Sequence, residues 1–530
     1  MSTRMFRSLP PVAAMLAVAA AALSVPATAD AKTLKWSSQG DIATFDPYAH
    51  TESFTSNMHH HVYDPLVRRD RNLQIEPALA TKWSSVAPDR WRFELRRGVK
   101  FHNGNAFTAA DVVASITRLL DPDARARGNL SNVAKAEQVD DYTVDFVTKG
   151  PYPLLLNDLS GIFIMDKEWL EANNALKPGN LTTGATTYAS TNANGTGPFK
   201  LVSYQPDSRT VLEVNTGWWD KPVHNLTRIE FRPIKSDATR VAALLSGEID
   251  MIAPAPLQDL ARIGATPGFK VIEEPSLRLI FLGLNWRPEL VGQAGVKNPL
   301  LDLKVRQALW HAIDLDTIQR RVMRGKSRNV GTMVAPPVPG YSADLDKPLA
   351  FDAARAEALL TEAGYPSGFK VNLSCPNDRY INDEQTCVAV AGMWSRLGLQ
   401  VDLKTESRAT YFPKVDKGET DIYMLGWATL PPMDGYSVLS ALMATRRGEF
   451  GGNNPNGLSD PAVDDLAAKS AVELDEAKRR AMLTESFRIA REKVYFLPLH
   501  QQPVAWATKS GVELPQFADE YVRLWFAKVD

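Results

Sequence analysis

The sequence predicts an α/β protein of two or three domains. Three observations carry that reading: strand-like and helix-like patterns alternate over most of the chain, a helix pattern sits between two strand patterns in one short span, and 530 residues are enough for several cores. No repeat of fixed period is found. Composition narrows the function. Lys and Arg number 60 against 61 Asp and Glu, so no basic field points to nucleic acid. Two Cys exclude a disulfide scaffold, and 23% charged residues with 12 Trp exclude a disordered polymer.

Taken in order, the chain opens with Arg4 and Arg7, then an apolar run from Val12 to Val25 that ends at Pro26. Small-residue patterns follow, Ala27-Thr28-Ala29 and Ala29-Asp30-Ala31, which is the layout of a signal peptide cut after Ala29 or Ala31. It contains no Cys for lipid attachment. The mature protein is therefore expected in an extracytoplasmic space, most simply a periplasm, with no membrane insertion. Arg90 to Val99 alternates Trp91, Phe93 and Leu95 with Arg92, Glu94 and Arg96, a half-buried strand. Thr108 caps a helix with Asp111 in capping-box position, Val112, Ile116, Leu119 and Leu120 form its stripe, and Asp121-Pro122 stops it. Tyr142 to Thr148 reads as another strand, and the polar stretch Thr182 to Gly195 as a loop or linker. Asp302 to Ile313 and Asp352 to Ala363 are capped helices on either side of a Pro-rich connection, Val334 to Tyr341. Phe369 to Leu373, a helix Asn382 to Leu397 with Val388, Ala391 and Trp394 on one side, and Leu399 to Leu403 form a strand-helix-strand unit. So short a crossover implies parallel strands.

An oxidising compartment favours pairing Cys375 with Cys387, whose short loop is worth ~2–3 kcal/mol. A zinc site lacks nearby ligands, and a catalytic thiol would be hard to keep reduced there. Gly325-Lys326-Ser327 ends like a phosphate loop, but Arg320 stands where its first Gly is needed. Gly195-Thr196-Gly197 begins like a dinucleotide fingerprint, but Lys200 occupies the third Gly position. No zinc-protease helix or nucleophile elbow is present in the sequence, and no cofactor is implied. His59, His60 and His61 leave two readings: a metal-binding run, or an exposed or packed run with one ring near Tyr63.

Ten segments in order resemble the family 5 extracytoplasmic solute-binding proteins of ABC importers, the dipeptide-, oligopeptide- and nickel-binding group. They are "TFDPYAH" from Thr44, "HVYDPLV" from His61, "EPALATKW" from Glu76, "FELRRGVKFHNGNAFTAADVVAS" from Phe93, and "GTGPFKL" from Gly195. "GEIDM" from Gly247, "LGLN" from Leu282, "VRQALWHAID" from Val305, "LLTEAGYPSGF" from Leu359 and "LGW" from Leu425 complete the set. The resemblance implies a two-lobed periplasmic-binding-protein fold (type II, large three-subdomain form) with a hinge between lobes. Lobe I would comprise residues 32–65, 195–285 and 500–530, an extra subdomain 66–194, and lobe II 286–499. It implies a monomer that captures a small molecule or peptide and delivers it to the transmembrane permease subunits and their ATPase.

By the same resemblance, Arg379 falls where peptide binders grip the ligand carboxylate; the other reading is an Arg bracing its loop through Asp378 or Asp383. Trp427 falls at a cleft aromatic position, with core packing as its alternative, and Tyr380, Thr51, Phe54 and Ser56 are further candidates. Dipeptide binders tend to follow the Gly-Trp with an acid that holds the α-amino group, whereas this chain has Ala428-Thr429-Leu430-Pro431-Pro432 before Asp434. Either Asp434 reaches the cleft, or the ligand has no free amine there. Two rivals remain, a nickel or metal-chelate carrier using the His run and a periplasmic hydrolase.

Overall fold

The computed structural model describes residues 32–530 apart from Ser131, Thr182, Pro431 and Glu449. The expected signal peptide lies outside the described residues. Among the described residues, an eleven-stranded mixed sheet runs through the molecule. From one edge its strands are Gln400–Glu406, Lys370–Pro376, Ile422–Trp427, Phe269–Leu284, Phe496–Lys509, Met251–Ile252, Thr33–Ser37, Arg228–Phe231, Arg209–Val214 and Phe199–Gln205. Arg328–Asn329 pairs with Phe496–Lys509 as a side branch.

Two long strands join the ends of this sheet. Phe269–Leu284 and Phe496–Lys509 pair antiparallel from Phe269 opposite Lys509 to Gly283 opposite Phe496. At one end Leu279 to Leu284 carry Ile422–Trp427; at the other, Ala507 and Thr508 carry Met251–Ile252. Between these ends the register slips twice, at Pro275/Leu279 and at Ile280/Phe281. The strand Phe496–Lys509 is buried along nearly its whole length, including the polar His500, Gln501 and Gln502 at its middle.

Local expectations hold where local chemistry decides. The alternating segment near Arg90 forms Arg90–Leu95, with Phe93 and Leu95 inward, inside a separate antiparallel sheet ordered Ala80–Ala87, Arg90–Leu95, Thr143–Thr148, Val133–Asp140. The helix Ala109–Leu120 starts at the Thr108/Asp111 capping box and buries Val112, Ile116 and Leu119 completely. Leu303–His311 and Ala353–Glu362 are capped by Asp302 and Asp352, whose carboxylates accept from the Lys304 and Arg355 N–H groups. Lys370–Pro376 and Gln400–Glu406 are parallel, Leu373 opposite Leu403, with the helix Asp383–Ser395 between them in sequence. One expectation fails there: Val388 is 53% exposed, and Cys387, Val390 and Trp394 make the inner face instead.

The "GTGPF" segment is fixed by space. A Cβ on Gly195 would lie 2.0 Å from the Val62 carbonyl oxygen, and one on Gly197 2.6 Å from the Val62 carbonyl carbon, so only glycine admits this approach. The "TFDPYAH" segment is fixed by charge. Asp46, fully buried, accepts from Arg118 Nη1 at 2.7 Å and Nη2 at 2.6 Å, and from the Gly179 N–H at 2.9 Å. Burial pushes the Asp46 carboxyl up, but the Arg118 guanidinium outweighs it and holds the group below its ordinary range.

Cys375, on the strand Lys370–Pro376, is bonded to Cys387 in the following helix, and both are fully buried. Replacing both with Ser should lower stability to urea unfolding by about 2–3 kcal/mol, the entropy of so short a loop.

Candidate functional site

Three predicted residues converge where the sheet changes register. The ring of Tyr380 lies so close to the strand Ile422–Trp427 that a Cβ on Gly426 would fall 2.6 Å from it. The Arg379 guanidinium sits 5.1 Å from the same ring. Asp383 accepts from the backbone N–H groups of Arg379 (3.0 Å) and Tyr380 (2.9 Å), so this acid shapes the loop through its main chain. Next along, the Ile381 N–H donates to Gln502 Oε1 at 3.1 Å. Trp427 stands opposite Leu279, is half-buried, and donates its indole N–H to Ser437 Oγ at 3.2 Å.

Thr51, Phe54 and Ser56 lie elsewhere, around the helix Ser53–His59. Glu52 caps that helix by accepting from the Phe54 and Thr55 N–H groups, and Thr51 is exposed. Phe54 packs 5.5 Å from Phe231 and 6.0 Å from Trp36. No hydrogen bond or ring contact among the described residues joins Phe54 or Ser56 to Trp427.

Asp434 corrects an expectation. It is 2% exposed and grips Arg479 through two parallel bonds, Nη1 to Oδ2 at 2.6 Å and Nη2 to Oδ1 at 2.9 Å. Both oxygens are therefore occupied, and the side chain is no free counter-charge for an ammonium. The His run is corrected too. His59 and His61 are fully buried, not exposed, and His59 packs edge-on to Tyr63 at 5.9 Å, as its packed reading anticipated. Burial pushes His59 down to about 3 and His61 to about 4, so both rings are neutral. Among the described residues no three His, Cys, Asp or Glu converge as metal ligands.

The loop after Trp427 reaches a cavity of about 50 Å³. Its walls include His60, Arg69, Leu430, Tyr521, Trp525 and Phe526. Arg69 Nη2 donates to the Pro432 carbonyl at 3.1 Å, tying this loop to the far wall. Thr429 and Met433 hold φ of 52° and 49°, and the buried Thr429 hydroxyl has no hydrogen-bond partner among the described residues. A β-branched residue in the left-handed region is strained, and such strain concentrates at ligand clamps. Sequence reasoning missed the C-terminal wall, although the aromatic density of Tyr521, Trp525 and Phe526 was a usable signal. Pro431, in the same loop, lies outside the described residues. Sites for drug-sized ligands span roughly 300–1,000 Å³, well above the volume of this cavity.

With this geometry in view, the comparisons are specific. Residues 74–449 match the model for bacterial extracellular solute-binding proteins, family 5, middle region. This chain belongs to that family. It is 29% identical over 493 residues to the dipeptide-binding protein of Escherichia coli (strain K12), covering 88% of each chain. It is also 29% identical over 364 residues to the glutathione-binding protein GsiB of Salmonella choleraesuis (strain SC-B67), covering 68% of this chain and 67% of that one. The periplasmic binding protein DppA of Helicobacter pylori, solved with the peptide STSA, superposes with a TM-score of 0.75 at 24% identity, over 94% of this chain and 98% of that one. The fold is thus the two-lobed solute-binding fold that the resemblance implied.

Two tests follow for this family 5 chain. Asp434→Asn should cost about 3–5 kcal/mol in urea unfolding, because it strands a buried Arg479; a loss of affinity at unchanged stability would instead make Asp434 a ligand contact. Beside it, Asp158 accepts from the Tyr152 hydroxyl. Burial, reinforced by the Asp434 charge, pushes the Asp158 carboxyl up to about 7. The folded protein then keeps a proton that the unfolded chain releases near pH ~4, so this contribution to stability is lost as pH rises from ~4 to about 7. Asp158→Asn should flatten that part of the melting-temperature profile, and an unchanged profile would assign the slope to other groups.

Proposed function

We propose that this family 5 protein is the periplasmic ligand-binding subunit of an ABC importer. It would capture a peptide or peptide-like organic solute as a monomer and hand it, unaltered, to the membrane permease and its ATPase. The observation that carries the reading is the cavity. Leu430 and Pro432 come from the segment assigned to lobe II. The opposite walls come from residues 60–69, 160–161 and 519–526, assigned to lobe I and its extra subdomain.

The lobe boundaries are those given by resemblance: 32–65, 195–285 and 500–530 for lobe I, 66–194 for the subdomain, and 286–499 for lobe II. The four-stranded sheet from Ala80 to Thr148 falls inside the proposed subdomain. The register slips at Pro275/Leu279 and Ile280/Phe281 are the proposed hinge, because an interrupted ladder bends more easily than a regular one. Arg379 is assigned the ligand carboxylate, with Tyr380 and Trp427 flanking it and Thr51, Phe54 and Ser56 contributing from lobe I. Relatives named for dipeptide and glutathione binding support a ligand of this class. Closure follows from the ligand's higher affinity for the closed form and needs no chemical step.

Arg379→Ala should weaken binding of an anionic peptide by ~2–5 kcal/mol in calorimetry, since the ligand carboxylate would stay buried without its partner. Small-angle scattering should record contraction on saturation of the wild-type protein. An affinity loss below about tenfold (~1.4 kcal/mol) would remove Arg379 from the site. A scattering curve unchanged by bound ligand, or steady turnover of it, would reject the carrier reading.

A further inference from the structure

The cavity under Leu430 presents uncommitted polar groups, but none is a carboxylate. The His60 ring lies 4.7 Å from Phe163, 5.3 Å from Tyr521 and 6.4 Å from Trp525, a cage of aromatic walls. Neither of its nitrogens has a hydrogen-bond partner among the described residues, and the residue lines the cavity. The Tyr521 hydroxyl and the Trp525 indole N–H likewise have no hydrogen-bond partner among the described residues, and both residues line the cavity. Burial and the neighbouring Arg523 charge hold His60 well below its ordinary range, so the ring is neutral and keeps one N–H donor.

Every acid in the lining is already matched. Asp64 accepts from Thr196 Oγ1 at 2.9 Å and from the Trp219 and Trp218 indoles at 2.7 and 3.4 Å. Asp519 holds Arg523 through two bonds, of 2.8 and 2.5 Å. Glu76 accepts from Arg68 at 2.7 Å. Outside the lining, Asp434 is held by Arg479, Glu520 forms an ion pair with Arg278 at 3.6 Å, Asp158 accepts from the Tyr152 hydroxyl, and Glu52 caps its helix through two N–H groups. A ligand ammonium buried here would lack an uncommitted counter-charge and would lie near Arg68 and Arg523. A carbonyl oxygen would instead meet the Tyr521 O–H, the Trp525 N–H and the His60 N–H, under the apolar side chain of Leu430.

We infer that this cavity receives an amine-free, carbonyl-bearing end of the ligand, so that the protein selects N-acylated peptides over peptides with a free α-amino group. The inference rests on the peptide-like reading proposed above, and it adds Leu430, Tyr521, Trp525 and His60 as the residues that set the preference.

The test is competition between matched tripeptide libraries, one with free amines and one N-acetylated, for the purified protein, read by native mass spectrometry. Wild type should retain acetylated peptides at least ~10-fold over free-amine ones. Leu430→Asp, which places a carboxylate in the cavity, should narrow or reverse that ratio. Leu430→Asn serves as its uncharged control and should leave the ratio in favour of acetylated peptides. Tyr521→Phe combined with Trp525→Phe should lower retention of the acetylated library while sparing the free one. Glu52→Gln should leave the ratio unchanged. Equal retention of both libraries by wild type, or a ratio that Leu430→Asp does not move in folded protein, would overturn the inference while leaving the peptide reading in place. Retention of neither library would overturn the peptide reading and this inference with it.

Discussion

The molecule depends on one pair of strands. Phe269–Leu284 and Phe496–Lys509 hold each other over most of their length, and every other strand of the large sheet attaches directly or indirectly to one of them. Their ladder breaks only near Pro275 to Phe281. That break is the hinge proposed above. Trp427 stands opposite Leu279, and the Ile381 N–H reaches Gln502, so Arg379, Tyr380 and Trp427, proposed above to hold the ligand, sit beside the break, unlike Thr51, Phe54 and Ser56. Near a pivot, a rotation that carries distant atoms far displaces local atoms little. Groups placed there can keep their mutual geometry while the outer walls move.

A second constraint is how the chain neutralises its buried acids. Asp46 is matched to Arg118, Asp434 to Arg479 and Asp519 to Arg523, each pair nearly sealed from solvent. Such pairs contribute modestly to net stability, yet breaking one leaves a costly lone charge. Two of them, 72 and 45 residues apart, stitch together segments distant in sequence, whereas Asp519 and Arg523 brace a single turn of the C-terminal segment. An acid beside a cleft is a ligand group only if no arginine has reached it first. In this molecule arginines hold those at positions 434 and 519.

How much of this was legible in the sequence follows from range. Capping at Thr108, Asp302 and Asp352, the alternation around Phe93 and the crossover between Leu373 and Leu403 are decided within a few residues or a few turns, and they were readable. The helix Asp383–Ser395 was placed correctly but turned wrongly at Val388, because apolar residues occupy several of its faces and give no clear stripe. Asp434 was misjudged because its partner lies 45 residues away. The glycines at 195 and 197 looked like a broken nucleotide motif, when their cause is the Val62 backbone pressed against them. The aromatic density from Tyr521 to Phe526 was legible, but that it walls a cavity was not, because its neighbours there, His60 and Leu430, are brought to it only by the fold.

The two ends of the described chain are also joined. The Leu524 N–H donates to His61 Nε2 at 3.2 Å across a separation of 463 residues, and Lys32 Nζ donates to the Val529 carbonyl at 3.0 Å across 497. Contacts of such span cannot form while the chain is still emerging. A nascent polypeptide lacking its last few residues is thus missing part of the scaffold around its first helix. The scaffold around that helix is therefore completed late, once residues 524–529 are in place.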